Sequence, residues 1–257
     1  MITNTRTFKN QTIEMDLSDV LKGEGEQGDQ CADFLGATPE MVRARRYAWQ
    51  EGAGQIKHLP GFSGQAEGAQ FVKVWSDYDG DEMDVERYKE DLPFLSRRIK
   101  KTGSKVKRLA TIRVNIGEGC NTDAADMLWK AYVASKIVDE LEASGTRCEI
   151  VVECLAMHFF TSKPADHVLT TRVKIKSHGD PLNLALMASC FAPWFLRYWL
   201  FDFWRTNFAN QHRESMGRPQ KSTRTSPEEV IIDQGECLSE RAAKEFLTRY
   251  NTNRKAA

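Results

Sequence analysis

The residues that could carry chemistry in this chain are few and widely spaced. The five histidines, His58, His158, His167, His178 and His212, form no H-E-x-x-H pair and no other metal-ligand spacing, and no G-x-S-x-G nucleophile elbow occurs. The six cysteines, Cys31, Cys120, Cys148, Cys154, Cys190 and Cys237, include no C-x-x-C pair. Cys120 is the one thiol with a case for reactivity. It falls in a loop ahead of an expected helix, where the helix dipole lowers a thiol pKa, but no histidine partner can be picked out from the sequence. Asp77, Asp79 and Asp81 alternate as calcium ligands do, yet Gly80 falls between the second and third acids and no glutamate sits at the twelfth position. The cluster therefore reads as a turn leading into a helix near Asp84. Arg97, Arg98, Lys100, Lys101, Lys105, Lys107 and Arg108 place seven basic residues in twelve, enough to touch nucleic acid phosphates, but no aromatic residue is interleaved to stack on bases. These patterns point away from an enzyme.

The elements that must position such residues are clearest between Leu109 and Val152. Leu109 to Asn115 is β-branched and apolar, as a buried strand is, and it ends in Gly117-Glu118-Gly119. Thr122 or Asp123 can cap a helix over 123–143, with Asp126 in its first turn. Met127, Ala131, Ala134, Val138 and Leu141 give it an apolar stripe, while Lys130, Lys136, Asp139 and Glu142 are expected to face away. Gly145 ends the helix and 147–155 returns as a second strand, completing a parallel crossover unit.

Residues 168–176 alternate apolar and charged side chains, as a half-exposed edge strand does. Residues 184–208 are the most apolar stretch, but Pro193, Arg197, Asp202 and Arg205 make them a broken core helix and not a membrane span. A short strand over 229–233 and a helix over 239–250 follow. Towards the N-terminus, Ile13 to Leu21 is weakly amphipathic, and Thr38-Pro39-Glu40 starts a helix whose outer face carries Arg43, Arg45 and Arg46. Gly52 to Gly68 reads as a loop.

Charge is balanced, at 36 basic and 36 acidic residues, which argues against a dedicated nucleic-acid coat protein. The scattered cysteines and the lack of an apolar leader at Met1 to Arg6 lead us to expect a reduced, cytoplasmic protein. The expected class is α/β, a mostly parallel sheet flanked by helices. We expect an irregular, helical N-terminal region over 1–108 with a basic linker at its end, and an α/β domain over 109–257.

The order of elements from 109 to 257 resembles a von Willebrand factor A-type domain, a Rossmann-type architecture. That family places Asp-x-Ser-x-Ser after its first strand, a Thr before a later helix and Thr-Asp-Gly after its fourth strand. Here Asn115, Gly117 and Gly119 stand at the first motif, Asp180 near the threonine and Asp233 near the last. The resemblance implies a protein-interaction or scaffold module with a degenerate metal-ion-dependent adhesion site, binding a protein partner without metal or cofactor. A vaguer resemblance, through Trp75, Gly80, Asp81, Asp84, Arg87, Tyr88, Leu92 and Pro93, is to tailed-phage proteins, and implies action inside a host cell. The alternative function is weak nucleic-acid association through basic segments 97–108 and 212–224.

Overall fold

Alternation along the central strands decides the architecture, because successive side chains point to opposite faces of a sheet. A computed structural model of the chain describes residues 11–25, 32–62, 71–76, 82–90, 92–100, 108–157, 168–212, 218–226 and 228–256. The strands are β1 (Gln11–Asp16), β2 (Phe71–Ser76), β3 (Glu82–Met83), β4 (Leu95–Lys100), β5 (Arg108–Asn115), β6 (Thr146–Met157), β7 (Val168–Lys176), β8 (Arg218–Pro219) and β9 (Glu229–Ile232). The helices are α1 (Leu17–Leu21), α2 (Ala32–Leu35), α3 (Pro39–Ala44), α4 (Gln50–His58), α5 (Val85–Lys89), α6 (Ala124–Ala143), α7 (Leu184–Phe191), α8 (Phe201–His212) and α9 (Glu240–Ala256), with a π-helical turn at Phe195–Leu200 entering α8.

The main sheet runs β1-β7-β6-β5-β9, with β8 paired to the end of β6, and β2-β4-β3 form a separate antiparallel sheet. Within the main sheet β1/β7, β5/β6 and β5/β9 are parallel, and only β6/β7 and β6/β8 are antiparallel. The protein is therefore α/β, with a mostly parallel sheet flanked by helices.

One sheet face, carrying Ile112, Val114, Ile150, Val152, Cys154 and Val173, is buried in the apolar core with α6, α7 and the π turn. The opposite face carries Thr111, Arg113, Glu149, Glu153, Arg172 and Lys174, which sit beside one another in register. Helix α6 is buried almost all round, so Lys130 and Asp139, expected to face solvent, are interior residues. The reason is that α4, α7 and α9 pack on sides of α6 that the sheet does not reach.

Three further expectations are corrected. Strand β7 is not an edge: β1 pairs outside it, Glu14 opposite Arg172 and Asp16 opposite Lys174. The segment expected to be a separate N-terminal region supplies β1 to the main sheet and packs Val20, Leu35, Val42 and Ile56 into the same core, so position 108 separates no two cores. The glycine-rich stretch begins as helix α4, because Gly52 lets the helix close on its own cap; a Cβ there would lie 2.4 Å from the Trp49 ring. Asp77, Asp79, Asp81, Lys101, Lys105, Lys107, His158 and His167 lie outside the described residues.

Residues 184–208 follow their expected course. Helix α7 stops at Phe191, ahead of Pro193, and Trp194, Phe195, Tyr198, Trp199 and Trp204 are all buried. Among the described residues no single helix is long and apolar enough to cross a membrane.

Candidate functional site

Because β5 and β9 are parallel neighbours, the loops leaving their carboxyl ends meet, which is where open α/β sheets form binding crevices. Asn115, the last residue of β5, is wholly buried. Its Nδ2 donates to the Gln220 carbonyl at 2.8 Å, to Asp233 Oδ1 at 3.1 Å and to Ser222 Oγ at 3.2 Å, and its Oδ1 accepts from the Gly117 amide at 2.9 Å. Asp233 Oδ1 also accepts from the amides of Ser222 and Gln234, both at 2.8 Å. That carboxylate oxygen is fully used within the protein.

Beneath these loops stands Lys130. Its ammonium donates to the Asn115 carbonyl at 2.6 Å, to Glu118 Oε1 at 2.6 Å and to the Asp233 carbonyl at 2.8 Å. Three acceptors and no donor surround Nζ, an arrangement that suits NH₃⁺ with its three protons and leaves a neutral amine's lone pair unmatched. Burial pulls its pKa below the usual 10.5, and Glu118 is the main influence in the other direction. Glu118 Oε1 also accepts from the Gly235 amide at 2.8 Å, so one carboxylate joins the β5 loop to the β9 loop.

Of the positions singled out from sequence, Asn115, Gly117 and Asp233 come together. A Cβ on Gly117 would sit 3.1 Å from Asn115 Oδ1 and 3.4 Å from Cys154 Sγ, so glycine lets the loop fold tightly over the strand ends. Gly119 lies further out, with open space where its Cβ would be. Asp180 is elsewhere. It caps a turn after β7 by accepting from the Ser177 amide at 2.9 Å, and since β7 runs antiparallel to β6 that turn lies at the opposite end of the sheet. Asp180 and Asp233 therefore do not converge. Among the described residues no group of three or more His, Cys, Asp or Glu side chains is placed to hold a metal ion. Of the basic segment, Arg97, Arg98 and Lys100 belong to β4, and Arg108 opens β5 at the surface.

Beside the loop is a crevice of about 300 Å³ with a mainly apolar wall, including Phe34, Leu155, Leu196, Phe201 and Trp204, and with Gly119 and Cys120 at its rim. Arg197, 4 % exposed, is sent there by the π-helical turn. It donates through Nη1 to the Phe34 carbonyl at 2.5 Å, and through Nη2 to the carbonyls of Gly119 at 2.9 Å and Thr122 at 3.1 Å. The loop is thus held from below by Lys130 and from the side by Arg197.

Sequence reasoning missed both cations. For Lys130 a signal was present: positions 127, 130, 134, 137 and 141 follow the helical i, i+3, i+4 rhythm, so Lys130 lies in a column whose other members are apolar. For Arg197, nothing in the sequence names the carbonyls it meets.

A family model matches residues 7–255. The chain belongs to DUF7192, a family described as a domain of unknown function. The DUF7192 match takes in β1 and α9 alike, in keeping with one shared core. No curated protein and no solved structure matches this DUF7192 chain.

Proposed function

We propose that the chain is a non-catalytic, cytoplasmic binding module that holds a protein partner at the carboxyl ends of its parallel strands, inserting a large apolar side chain of that partner into the crevice beside Gly119. The observation that carries this reading is the crevice itself: an apolar pocket of about 300 Å³ whose rim loop is fixed from two sides. A rigid rim around an apolar pocket lowers the ordering cost of association, and a buried apolar anchor is the usual energetic centre of a protein interface. The polar groups of the loop also favour binding over catalysis. Asn115 and Asp233 spend their hydrogen bonds on each other and on backbone, as a degenerate adhesion site with a built-in ammonium would.

The test uses the exposed Cys120 at the rim as the attachment point for a benzophenone photocrosslinker, with a Gly119→Trp variant as the block. Tryptophan at 119 enters open space, so the fold and melting temperature should be kept while the crevice mouth is filled. Crosslinking of a partner by the parent protein and its loss in Gly119→Trp supports the proposal. Crosslinking that persists in the variant refutes it. Filter binding of DNA and RNA over a salt series, run alongside, addresses the basic segments: an association carried by 97–108 and 212–224 falls steeply with salt.

A further inference from the structure

The polar face of the main sheet carries a row of ion pairs that crosses it from β1 to β9. Glu14 on β1 meets Arg172 on β7 at 3.3 Å, Arg172 meets Glu153 on β6 at 2.7 Å, Glu153 meets Arg113 on β5 at 3.4 Å, and Arg113 meets Glu229 on β9 at 3.5 Å. Charge thus alternates in sign from strand to strand, and Arg172, Glu153 and Arg113 each have an opposite charge on both sides. The two ends of the row differ. The Glu229 side chain is 11 % exposed and is closed off by the Thr225 hydroxyl and by the amides of Thr225 and Ser226. The Glu14 side chain is 75 % exposed, with Arg172 on one side and no described strand on the other. Asp16, also exposed, lies on the same face two residues on, opposite Lys174.

Among the described residues, the outer edge of β1 has no strand beside it. β1 pairs with β7 alone, in an unbroken register over Gln11–Asp16 that contains no bulge and no proline. In a parallel ladder every second residue turns both its N–H and its C=O towards one neighbour, so half of these six residues turn theirs outward. Such a row is a template for the addition of a further strand. On the other face of β1, Ile13 and Met15 are half-buried against the core, and a flanking strand would cover the apolar surface they still show.

We propose that the outer edge of β1 takes an extended segment of another protein in which basic and apolar side chains alternate, with bases beside Glu14 and Asp16 and apolar side chains beside Ile13 and Met15. Such a segment continues the alternation of charge by one strand and satisfies the outward backbone groups. A second copy of this chain fits poorly. Antiparallel pairing of β1 with itself about a two-fold axis would bring Glu14 and Asp16 against the acids of the other copy, and like charges directly opposite each other oppose pairing. No residue of β1 lines the crevice beside Gly119, so the proposal stands independently of the reading given above.

The probe is a fluorescein-labelled peptide, Thr-Val-Lys-Val-Arg-Val-Thr-amide, with the counterpart carrying Glu at both basic positions as control. Each is titrated into the full chain by fluorescence anisotropy, and the complexes are followed by amide hydrogen exchange. The basic peptide should bind saturably and at least about tenfold more tightly than the acidic one, because two favourable cross-strand charge pairs become two repulsions. It should also slow exchange within Gln11–Asp16 by at least about tenfold, as new main-chain hydrogen bonds do. Glu14→Gln, Asp16→Asn should level the two peptides, and Glu14→Lys, Asp16→Lys should invert the preference. Melting temperatures should stay near that of the parent, because both carboxylates are exposed and Asp16 makes no side-chain cap to α1. The proposal is overturned if the basic peptide does not bind up to about 1 mM, if it binds without slowing exchange in β1, or if its preference survives the charge reversal. Self-association of the parent chain that disappears in the reversed variant would assign the edge to a second copy and overturns the proposal as well.

Discussion

Lys130 Nζ lies 2.6 Å from Glu118 Oε1 in a fully buried position beneath the loops that follow β5 and β9. The pair ties together elements far apart in the sequence, because the same ammonium holds carbonyls of Asn115 and Asp233 and the same carboxylate holds the Gly235 amide. Removing one partner of a buried pair leaves an uncompensated charge, at a cost of about 3–5 kcal/mol. Lys130→Met should lower the melting temperature by roughly 10 °C for a chain of this size. Adding Glu118→Leu should recover part of the loss, since the stranded carboxylate is then gone. Thermal denaturation of the two single variants and the double variant checks this, and strictly additive losses would show that the pair is not coupled.

The same geometry predicts the response to divalent cations. The carboxylate at the end of β9 already has one oxygen filled by three N–H donors, and an ammonium occupies the space below. Magnesium prefers charged oxygen ligands and gives up its waters reluctantly. Titration calorimetry with magnesium and manganese at millimolar concentration should show no saturable heat, and chelator should leave the melting temperature unchanged. Saturable binding abolished by Asp233→Ala would show a working metal site instead.

How far such a site can be read from sequence depends on whether its parts are local. The crossover unit was legible because strand, cap, helix and returning strand each announce themselves within a few residues. Asp123, one of the two expected caps, takes the N-cap position and closes a reciprocal cap with Asp126, and the parallel register of Leu109 with Arg147 follows. Strand β1 was harder: Ile13 and Met15 alternate with Glu14 and Asp16, but its partner lies beyond residue 167, and sequence alone does not join them. Asp180 was misplaced for a related reason, because the antiparallel step between β6 and β7 sends the turn after β7 to the far end of the sheet.

Buried thiols predict an alkaline weakness. Burial raises the Cys148 and Cys237 thiols from 9.0 to about 12. An acid whose folded pKa is raised keeps its proton when the unfolded chain has lost it. Its stabilising contribution is therefore complete below pH 9 and is lost as pH rises from 9 towards 12. Each thiol should contribute a slope of about 1.4 kcal/mol per pH unit within that window. Melting curves between pH 8.5 and 11 should fall more steeply for the parent than for a Cys148→Ala, Cys237→Ala variant; parallel curves would show that these thiols do not govern the loss.

Arg197 makes the last prediction, because it joins the aromatic helix to the rim of the crevice. Its fork reaches the Phe34 carbonyl through Nη1 and the carbonyls of Gly119 and Thr122 through Nη2, a two-nitrogen spread that the one nitrogen of a lysine does not reproduce. The ring of Phe34 lies 5.1 Å from its charge centre, adding a cation–π contact on the crevice side. Arg197→Met should leave three carbonyls without these donors, at roughly 1 kcal/mol or more each. Arg197→Lys should restore at most part of the effect. If the guanidinium fixes the rim, amide exchange over residues 119–123 should quicken by at least about tenfold in both variants, the exchange of β5 and β6 should change little, and crosslinking through Cys120 should weaken with it. Unchanged exchange at 119–123 in Arg197→Met would show that Lys130 and the loop's own turns hold the rim without help from the helix.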